Sequence, residues 1–430
     1  MAAAVTVTVT PLLSGVAHFL IGLSSWLMVS VLYVQLPRFS YSEYDDSHSG
    51  SNNIYATINL YIQASNALGI LTGIGMASQY VTGLSLSLSG LGRWVSCKRI
   101  ITLSVPLLGV VASIVLATND VFTTQKKNGS STILYALAFA AGVVGSASMS
   151  TIFAHALDAG KARPHVMRAD VRAVLTSAGA GACGLVAQIF AYAQGMSRPD
   201  DVPLRISSKD IFVPVAAIQS AALLAFVLVP TTAAVENEYF EPVPAEEEDG
   251  DDNDDVNVEE EEEEEEEEER LPRRQLQMNT VLAQVFLSSV LEFFAPAIIP
   301  KLVHGSGTNH SSSLWAITAA WNAAGILGRV AIGVLGRRTR ERHATTFVAL
   351  AIQTAAWLFA VVCATKTWVA VHELSTPVTA ALAMAIGSMM HGAIVTAAWT
   401  EAKSMSAASS IGVANQVGAA AGAIFGYIGM

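Results

Sequence analysis

Long apolar segments recur along the whole chain and constrain its fold more than any other feature. Hydrophobic residues make up 52% of the 430 residues, whereas charged residues make up 14%. Eleven segments reach the length of about 18 residues or more that a helix needs to cross a bilayer. They are 12–36, 54–78, 100–117, 132–157, 173–193, 211–229, 281–303, 314–335, 345–363, 376–400 and 407–428. Because only helices and closed barrels satisfy their backbone hydrogen bonds in lipid, the pattern predicts an all-α polytopic membrane protein with about 11 transmembrane helices.

An acidic run interrupts this pattern between predicted spans six and seven. Residues 246–269 hold 19 of the 35 carboxylates, so that 16 acids face 24 lysines and arginines elsewhere. The run predicts a disordered cytosolic loop, which is either a solvated linker or a regulatory tail. We therefore divide the chain into a six-helix bundle at 1–230, the acidic loop at 231–276 and a five-helix bundle at 277–430, a layout (6+5) common among transporters. Outside this run the chain is mildly basic, as expected when lysines and arginines flank membrane helices. No nucleic-acid partner is expected.

The distribution of basic residues predicts the orientation. The first four even-numbered loops carry 14 lysines and arginines, and the odd-numbered loops carry eight. Because these residues are retained on the cytosolic side, the N-terminus is predicted to be cytosolic and the C-terminus extracellular. Two glycosylation sequons, at Asn128 and Asn309, both fall in odd-numbered loops, which would be extracellular in a plasma-membrane protein.

Uncharged polar and aromatic side chains within the spans are the candidate substrate-binding residues. Buried amides need hydrogen-bond partners in hydrocarbon, so they face other helices or a wet cavity. A cavity lined by tryptophan, tyrosine and amides suits a flat, neutral, heteroaromatic solute. The candidates are Trp26, Ser30, Tyr33, Gln35, Gln63, Asn66, Asn322 and Gln416.

Ionisable residues within the spans are few. Glu292 and Arg329 could pair across neighbouring helices as a clamp or gate, although Arg329 could instead extend toward the headgroups. His391 could be a proton site or a hydrogen-bonded structural residue. The sequence contains neither a phosphate-binding G-x-x-x-x-G-K-[ST] loop nor an H-E-x-x-H motif. We therefore expect no enzyme, no catalytic residue, no metal and no cofactor, and the expected partners are a small-molecule substrate and the lipid bilayer.

Four segments resemble the eukaryotic riboflavin transporter family. The first span, from Gly22 to Pro37, is similar to the family's G-x-G-S-W-x-x-x-N-G-x-W-V-E-L-P segment, with Gln35 in place of the glutamate. Three further segments match in order: Ile62-Gln63-x-x-Asn66, Gly179 to Leu185 with Ala193-Gln194-Gly195, and Gly412 to Ala423 around Gln416. The resemblance implies a major-facilitator-like or equilibrative-transporter-like fold and uptake of riboflavin by facilitated diffusion. Trp26 would then stack on the flavin ring, and the amides would bond to its polar edge.

A second resemblance leaves an alternative substrate open. The segment from Trp321 to Arg329 is similar to the F-N-x-x-D-x-L-G-R segment of equilibrative nucleoside transporters, with Gly325 in place of the aspartate. Ala295-Pro296-Ala297 also resembles part of their F-P-A motif. This resemblance implies transport of nucleosides or nucleobases. A receptor or a membrane enzyme using Glu292, Arg329 and His391 is a further alternative.

Overall fold

The structure is a computed structural model that describes residues 10–41, 97–118, 130–193, 208–229, 277–294, 310–335, 343–365, 377–402 and 404–428. Ten helices lie within these ranges, and we number them in chain order. They are α1 (Pro11–Tyr41), α2 (Cys97–Thr118), α3 (Ser130–Ala162), α4 (Ala169–Ala193), α5 (Ser208–Leu228), α6 (277–293), α7 (His310–Val334), α8 (His343–Thr365), α9 (Pro377–Glu401) and α10 (Met405–Ile428).

Helices occur at ten of the eleven predicted spans, and they confirm the all-α fold class. Each observed helix overlaps its predicted span, and predicted span two, 54–78, lies outside the described residues. Six of the helices meet a length and apolarity criterion for crossing a membrane, namely α1, α4, α5, α7, α8 and α9. The acidic run also lies outside the described residues, so the three-part division of the chain stays a prediction. We refer to α1–α5 as the first group and to α6–α10 as the second group.

The outer surface of the bundle is apolar and its interior contains polar side chains, as expected for a protein surrounded by lipid. On α2, a stripe of five apolar residues is at least 46% exposed: Leu107, Leu108, Val111, Ile114 and Val115. The opposite arrangement holds inside, where Gln219 of α5 is buried and donates from Nε2 to the backbone oxygen of Ser24 at 2.9 Å. An interior amide that bonds to a neighbouring helix satisfies the hydrogen-bonding requirement of the membrane interior.

Helices α1 and α4 run parallel and in close contact. Each has a glycine at the position that faces the backbone of the other helix. A β-carbon at Gly22 would overlap the backbone oxygen of Thr176, and one at Gly179 would overlap the backbone oxygen of Phe19. The thiol of Cys183 lies 3.0 Å from the backbone oxygen of Leu23. Small residues at such positions let helix backbones approach closely in membranes. This pair is a close backbone contact within the first group.

The two groups share one hydrophobic core at one end of the bundle. We call this the shared core, and it lies at the end where α1 begins and α5 finishes. Its buried members come from both groups and include Ile21, Phe153, Phe226, Val285, Ile394 and Ile411. The rings of Phe153 on α3 and Trp399 on α9 stack across the two groups, with centroids 3.3 Å apart and planes 10° apart. The groups are therefore closed against each other at this shared end.

At the opposite end, which we call the split end, each group has a core of its own. The first core draws all its buried members from α1–α5, including Leu32, Leu116 and Phe212. The second core draws its buried members from α7, α8 and α9, including Ile317 and Trp357. Among the described residues, Ile326 of α7 is the second-group side chain that packs against the first core. In the part of the chain that the structure describes, the hydrophobic packing that joins the groups is thus concentrated at the shared end.

Candidate functional site

A seam between α4 and α7 joins the two groups along most of the bundle's depth. The partners run antiparallel, because residue numbers rise along α4 as they fall along α7. The 15-residue interval from Ser177 to Tyr192 corresponds to about 22 Å of helix. From the shared end to the split end, the pairs are Ser177 with Arg329, Gly184 with Asn322, Gln188 with Thr318 and Tyr192 with Trp315.

Arg329 lies in a space that glycines leave between three helices. A β-carbon at Gly181 of α4 would lie 2.6 Å from Cδ of Arg329, and one at Gly392 of α9 would lie 3.2 Å from its Cγ. Arg329 Nη1 donates to Ser177 Oγ at 3.0 Å, and Ser177 Oγ lies 2.6 Å from Thr396 Oγ1. The guanidinium, whose Nε is buried without a partner among the described residues, therefore connects α4, α7 and α9 instead of extending toward the headgroups.

Glu292, on α6, is buried and held by two donors from the second group. Its Oε1 accepts from the indole Nε1 of Trp321 at 2.6 Å and from Ser388 Oγ at 2.8 Å. Its Oε2 is also buried and has no hydrogen-bond partner within the part of the chain that the structure describes. Arg329 is near enough for a Coulombic interaction, but within the described ranges no direct salt bridge joins the two side chains. The predicted charge pair thus consists of two separately held groups.

An aromatic contact between the two groups lies where the shared core ends. Trp26 packs against both the first core and the shared core. Its ring lies 6.3 Å from that of Phe293 on α6, with the planes tilted by 41°. Phe293 in turn meets the imidazole of His391 edge-on at 6.4 Å. Ser30, one turn beyond Trp26, is half-buried. This layer brings an aromatic ring of the first group to α6, the helix that carries Glu292.

Two predicted amides lie at contacts between the groups. Asn322 is half-buried and faces Gly184, and Gln416 on α10 accepts from Ser146 Oγ on α3 at 3.2 Å. The remaining candidates are not described. Tyr33 and Gln35 belong to α1, but their side chains lie outside the description, as do the whole residues Gln63, Asn66, Asn128 and Asn309.

Several residues of this region were not among the sequence candidates. Gln188 donates from Nε2 to Thr318 Oγ1 at 2.7 Å across the seam. Ser388 is the second hydrogen-bond donor to Glu292 Oε1. A signal for Gln188 was present, because positions 177, 181, 184, 188 and 192 repeat at three- and four-residue spacing on one helix face. No metal site is visible in the described ranges, where no three His, Cys, Asp or Glu side chains come together.

No protein-family model matches the sequence, and no curated protein matches it. Solved structures, however, match along nearly the whole chain. The human organic anion transporter MFSD10 is 13% identical with a TM-score of 0.56, and the match covers 97% of this chain and 92% of that one. The proton:xylose symporter XylE is 11% identical with a TM-score of 0.54, covering 97% and 86% of the two chains.

A third match is a bacterial homologue of the human lysosomal transporter Spinster, 16% identical with a TM-score of 0.52 over 97% of this chain and 81% of that one. At such low identity these likenesses show the fold. The chain has the fold of major facilitator transporters, and its apolar spanning helices make it a multi-pass membrane protein.

Proposed function

We propose that this protein takes up riboflavin across the plasma membrane by facilitated diffusion, with alternating access of one central site. The observation that carries the proposal is the unequal packing of the two groups. Within the described residues they share a core at one end, whereas at the other they have separate cores that meet along the seam between α4 and α7. Two bundles that close at one end and can separate at the other are what alternating access around a fixed site requires. With the N-terminus in the cytosol, the shared end is the cytosolic one.

The choice of riboflavin rests on the side chains at the boundary between the groups. Trp26 and Phe293 provide aromatic faces from opposite groups, and Asn322 and Gln416 provide amides on two different seams. A flat heteroaromatic solute binds through stacking on its faces and hydrogen bonds along its edge. The resemblance of spans one, two, five and eleven to riboflavin transporters supports the same substrate.

Uptake of labelled riboflavin tests the proposal directly. The protein is expressed in a riboflavin-requiring cell that lacks its own carrier, and excess flavin, adenosine or uridine is added as competitor. We expect saturable uptake that flavins block and nucleosides do not. Internal riboflavin should rise to the external concentration without exceeding it, and a protonophore should not change the rate, because the transport is uncoupled.

Two variants connect uptake to the site. Trp26→Ala should lower uptake strongly, whereas Trp26→Phe should retain part of it because an aromatic face remains. Phe347→Ala is the matched control, since this aromatic side chain is 51% exposed on the outer surface of α8. Uptake of nucleosides without riboflavin would make the nucleoside alternative correct. If neither solute moves, the substrate assignment is wrong.

A further inference from the structure

One carboxylate oxygen of Glu292, Oε2, accepts no hydrogen bond from the described residues. Glu292 is 5% exposed, and both donors that reach it bond to the same oxygen, Oε1. Oε2 is buried without a partner among the described residues. A buried carboxylate oxygen that accepts no hydrogen bond is unfavourable, so such an atom calls for a donor that the described residues do not place on it.

Glu292 and the aromatic layer are related through one face of α9. Ser388, which donates to Glu292, lies one turn from His391, which contacts Phe293, and the ring of Phe293 meets Trp26 of the other group. Among the described residues, the charged and titratable groups near Glu292 are Arg329 on α7, which interacts with it through space, and His391 on α9, which contacts Phe293. His391 is already bonded to Ser288 Oγ at 3.0 Å. Arg329 Nη1 donates to Ser177, and Arg329 Nε is buried with no partner among the described residues. Neither of these neighbours bonds to Oε2.

We propose that Glu292 is a specificity-determining residue whose Oε2 accepts a hydrogen bond from an N–H donor on the edge of the transported ring, the imide N–H in a flavin. The inference rests on the proposed function, because it assigns a role to one residue of that same site. A site that accepts a hydrogen bond from a substrate discriminates strongly against an analogue lacking the donor, since its own buried acceptor is then left unpaired. N3-methylriboflavin is such an analogue.

The two hydrogen-bond donors to Glu292 make Glu292→Gln an informative substitution. Trp321 and Ser388 are both donors, so an amide here places its carbonyl oxygen where Oε1 is and its NH₂ group where Oε2 is. The shape and both internal hydrogen bonds are retained, while the free acceptor becomes a donor. Asp170→Asn is the matched control, because it makes the same chemical change at the start of α4, where the carboxylate pairs with Arg168 at 2.9 Å.

The experiment measures KM for riboflavin and for N3-methylriboflavin in the full-length protein and in both variants. In the unmodified protein, methylation should raise KM about ten-fold or more, the effect of losing one hydrogen bond to a charged group. In Glu292→Gln, KM for riboflavin should rise by a similar factor, and the ratio between the two substrates should fall to within about two-fold. Asp170→Asn should keep the ratio of the unmodified protein.

Equal KM values for the two substrates in the unmodified protein would overturn the inference without any variant being needed. A ratio that survives in Glu292→Gln would also overturn it, because another residue would then recognise the imide. If Glu292→Gln abolished net uptake of both substrates but kept riboflavin exchange, Glu292 would carry a proton and not bind the substrate. Absence of riboflavin uptake by the unmodified protein is a different result, which overturns the proposed function and this inference with it.

Discussion

Asn322 of α7 lies directly against Gly184 of α4, and a β-carbon at Gly184 would overlap the amide oxygen of Asn322. The atom in the way is the end of a side chain and not backbone. The contact can therefore be relieved by rotating the amide, without moving either helix. A side chain at Gly184 changes where Asn322 points more than it changes how α4 packs on α7.

We predict that Gly184→Ala leaves the fold intact and impairs substrate binding. The melting temperature should match that of Gly15→Ala, a control in which the new β-carbon makes ordinary contacts at 3.4 Å with Leu175 and Met167. KM for uptake should rise about ten-fold in Gly184→Ala, as expected for one misplaced hydrogen bond. Asn322→Ala added to Gly184→Ala should have little further effect, because both act through the same amide. Additive effects on KM would show that Gly184→Ala does not act through Asn322.

Gly22 and Gly179 should respond in the opposite way. A β-carbon at either position would overlap backbone oxygen on the facing helix, so α1 and α4 would have to move apart. We predict that Gly22→Ala and Gly179→Ala destabilise the protein by about 1–3 kcal/mol or more, the usual effect of overpacking a close contact. The measurement is thermal unfolding of protein purified in detergent, with Gly15→Ala again as control. Unchanged stability in both variants would contradict the close approach of these helices.

The hydrogen bonds around His391 give it a structural role. Gln353 Nε2 donates to the backbone oxygen of Ser288 at 3.0 Å, so Gln353 Oε1 is the acceptor of the Ser288 hydroxyl at 2.7 Å. Because that hydroxyl has one hydrogen, His391 Nδ1, which lies 3.0 Å from Ser288 Oγ, must donate to it. The imidazole is therefore one of the donors that hold α9 against α6.

We predict that His391→Asn preserves this contact, because an asparagine amide can donate from nearly the same place. Uptake should stay within about two-fold and its pH profile should not change, since the bond energy at stake is small when a donor is kept. His391→Leu should lose about 1–3 kcal/mol of stability by leaving the Ser288 oxygen with one donor fewer. A pH profile that flattens in His391→Asn would instead identify the imidazole as a proton site.

The sequence was sufficient to predict the helices because a membrane span depends on length and apolarity alone. The boundaries of α7, predicted at 314–335 and observed as His310–Val334, illustrate how closely this works. The polar stripe on α4 could also have been recognised, since Ser177, Gly181, Gly184 and Gln188 recur at helical spacing.

The site itself depends on contacts between distant segments, which spacing within one helix does not reveal. Glu292 is recognisable as a charge in a span, but its partners Trp321 and Ser388 lie 29 and 96 residues away. The pairing of Arg329 with Ser177 instead of with Glu292 likewise depends on how α4 and α7 are aligned. Which end of the bundle is closed is a property of packing between the two groups, and no residue pattern in a single span encodes it.

The stacked pair of Phe153 and Trp399 should help to keep the shared end closed. An aromatic pair contributes about 0.5–1.5 kcal/mol beyond its buried area, which corresponds to a roughly two- to thirteen-fold change in a two-state population. We predict that Trp399→Leu increases opening at this end by about that factor. Opening is measured in inside-out vesicles, which expose the cytosolic face, as the rate at which an impermeant maleimide labels Ile411→Cys, a position 1% exposed in the shared core.

Trp357→Leu is the matched control, because Trp357 is equally buried but belongs to the second core, within one group. In both tryptophans the indole Nε1 has no hydrogen-bond partner among the described residues, so neither substitution removes a hydrogen bond there. Faster labelling in Trp399→Leu but not in Trp357→Leu would tie opening to the contact between the groups. Equal acceleration in both would mean that the substitutions loosen the bundle generally, and the stack would then have no special role in closure.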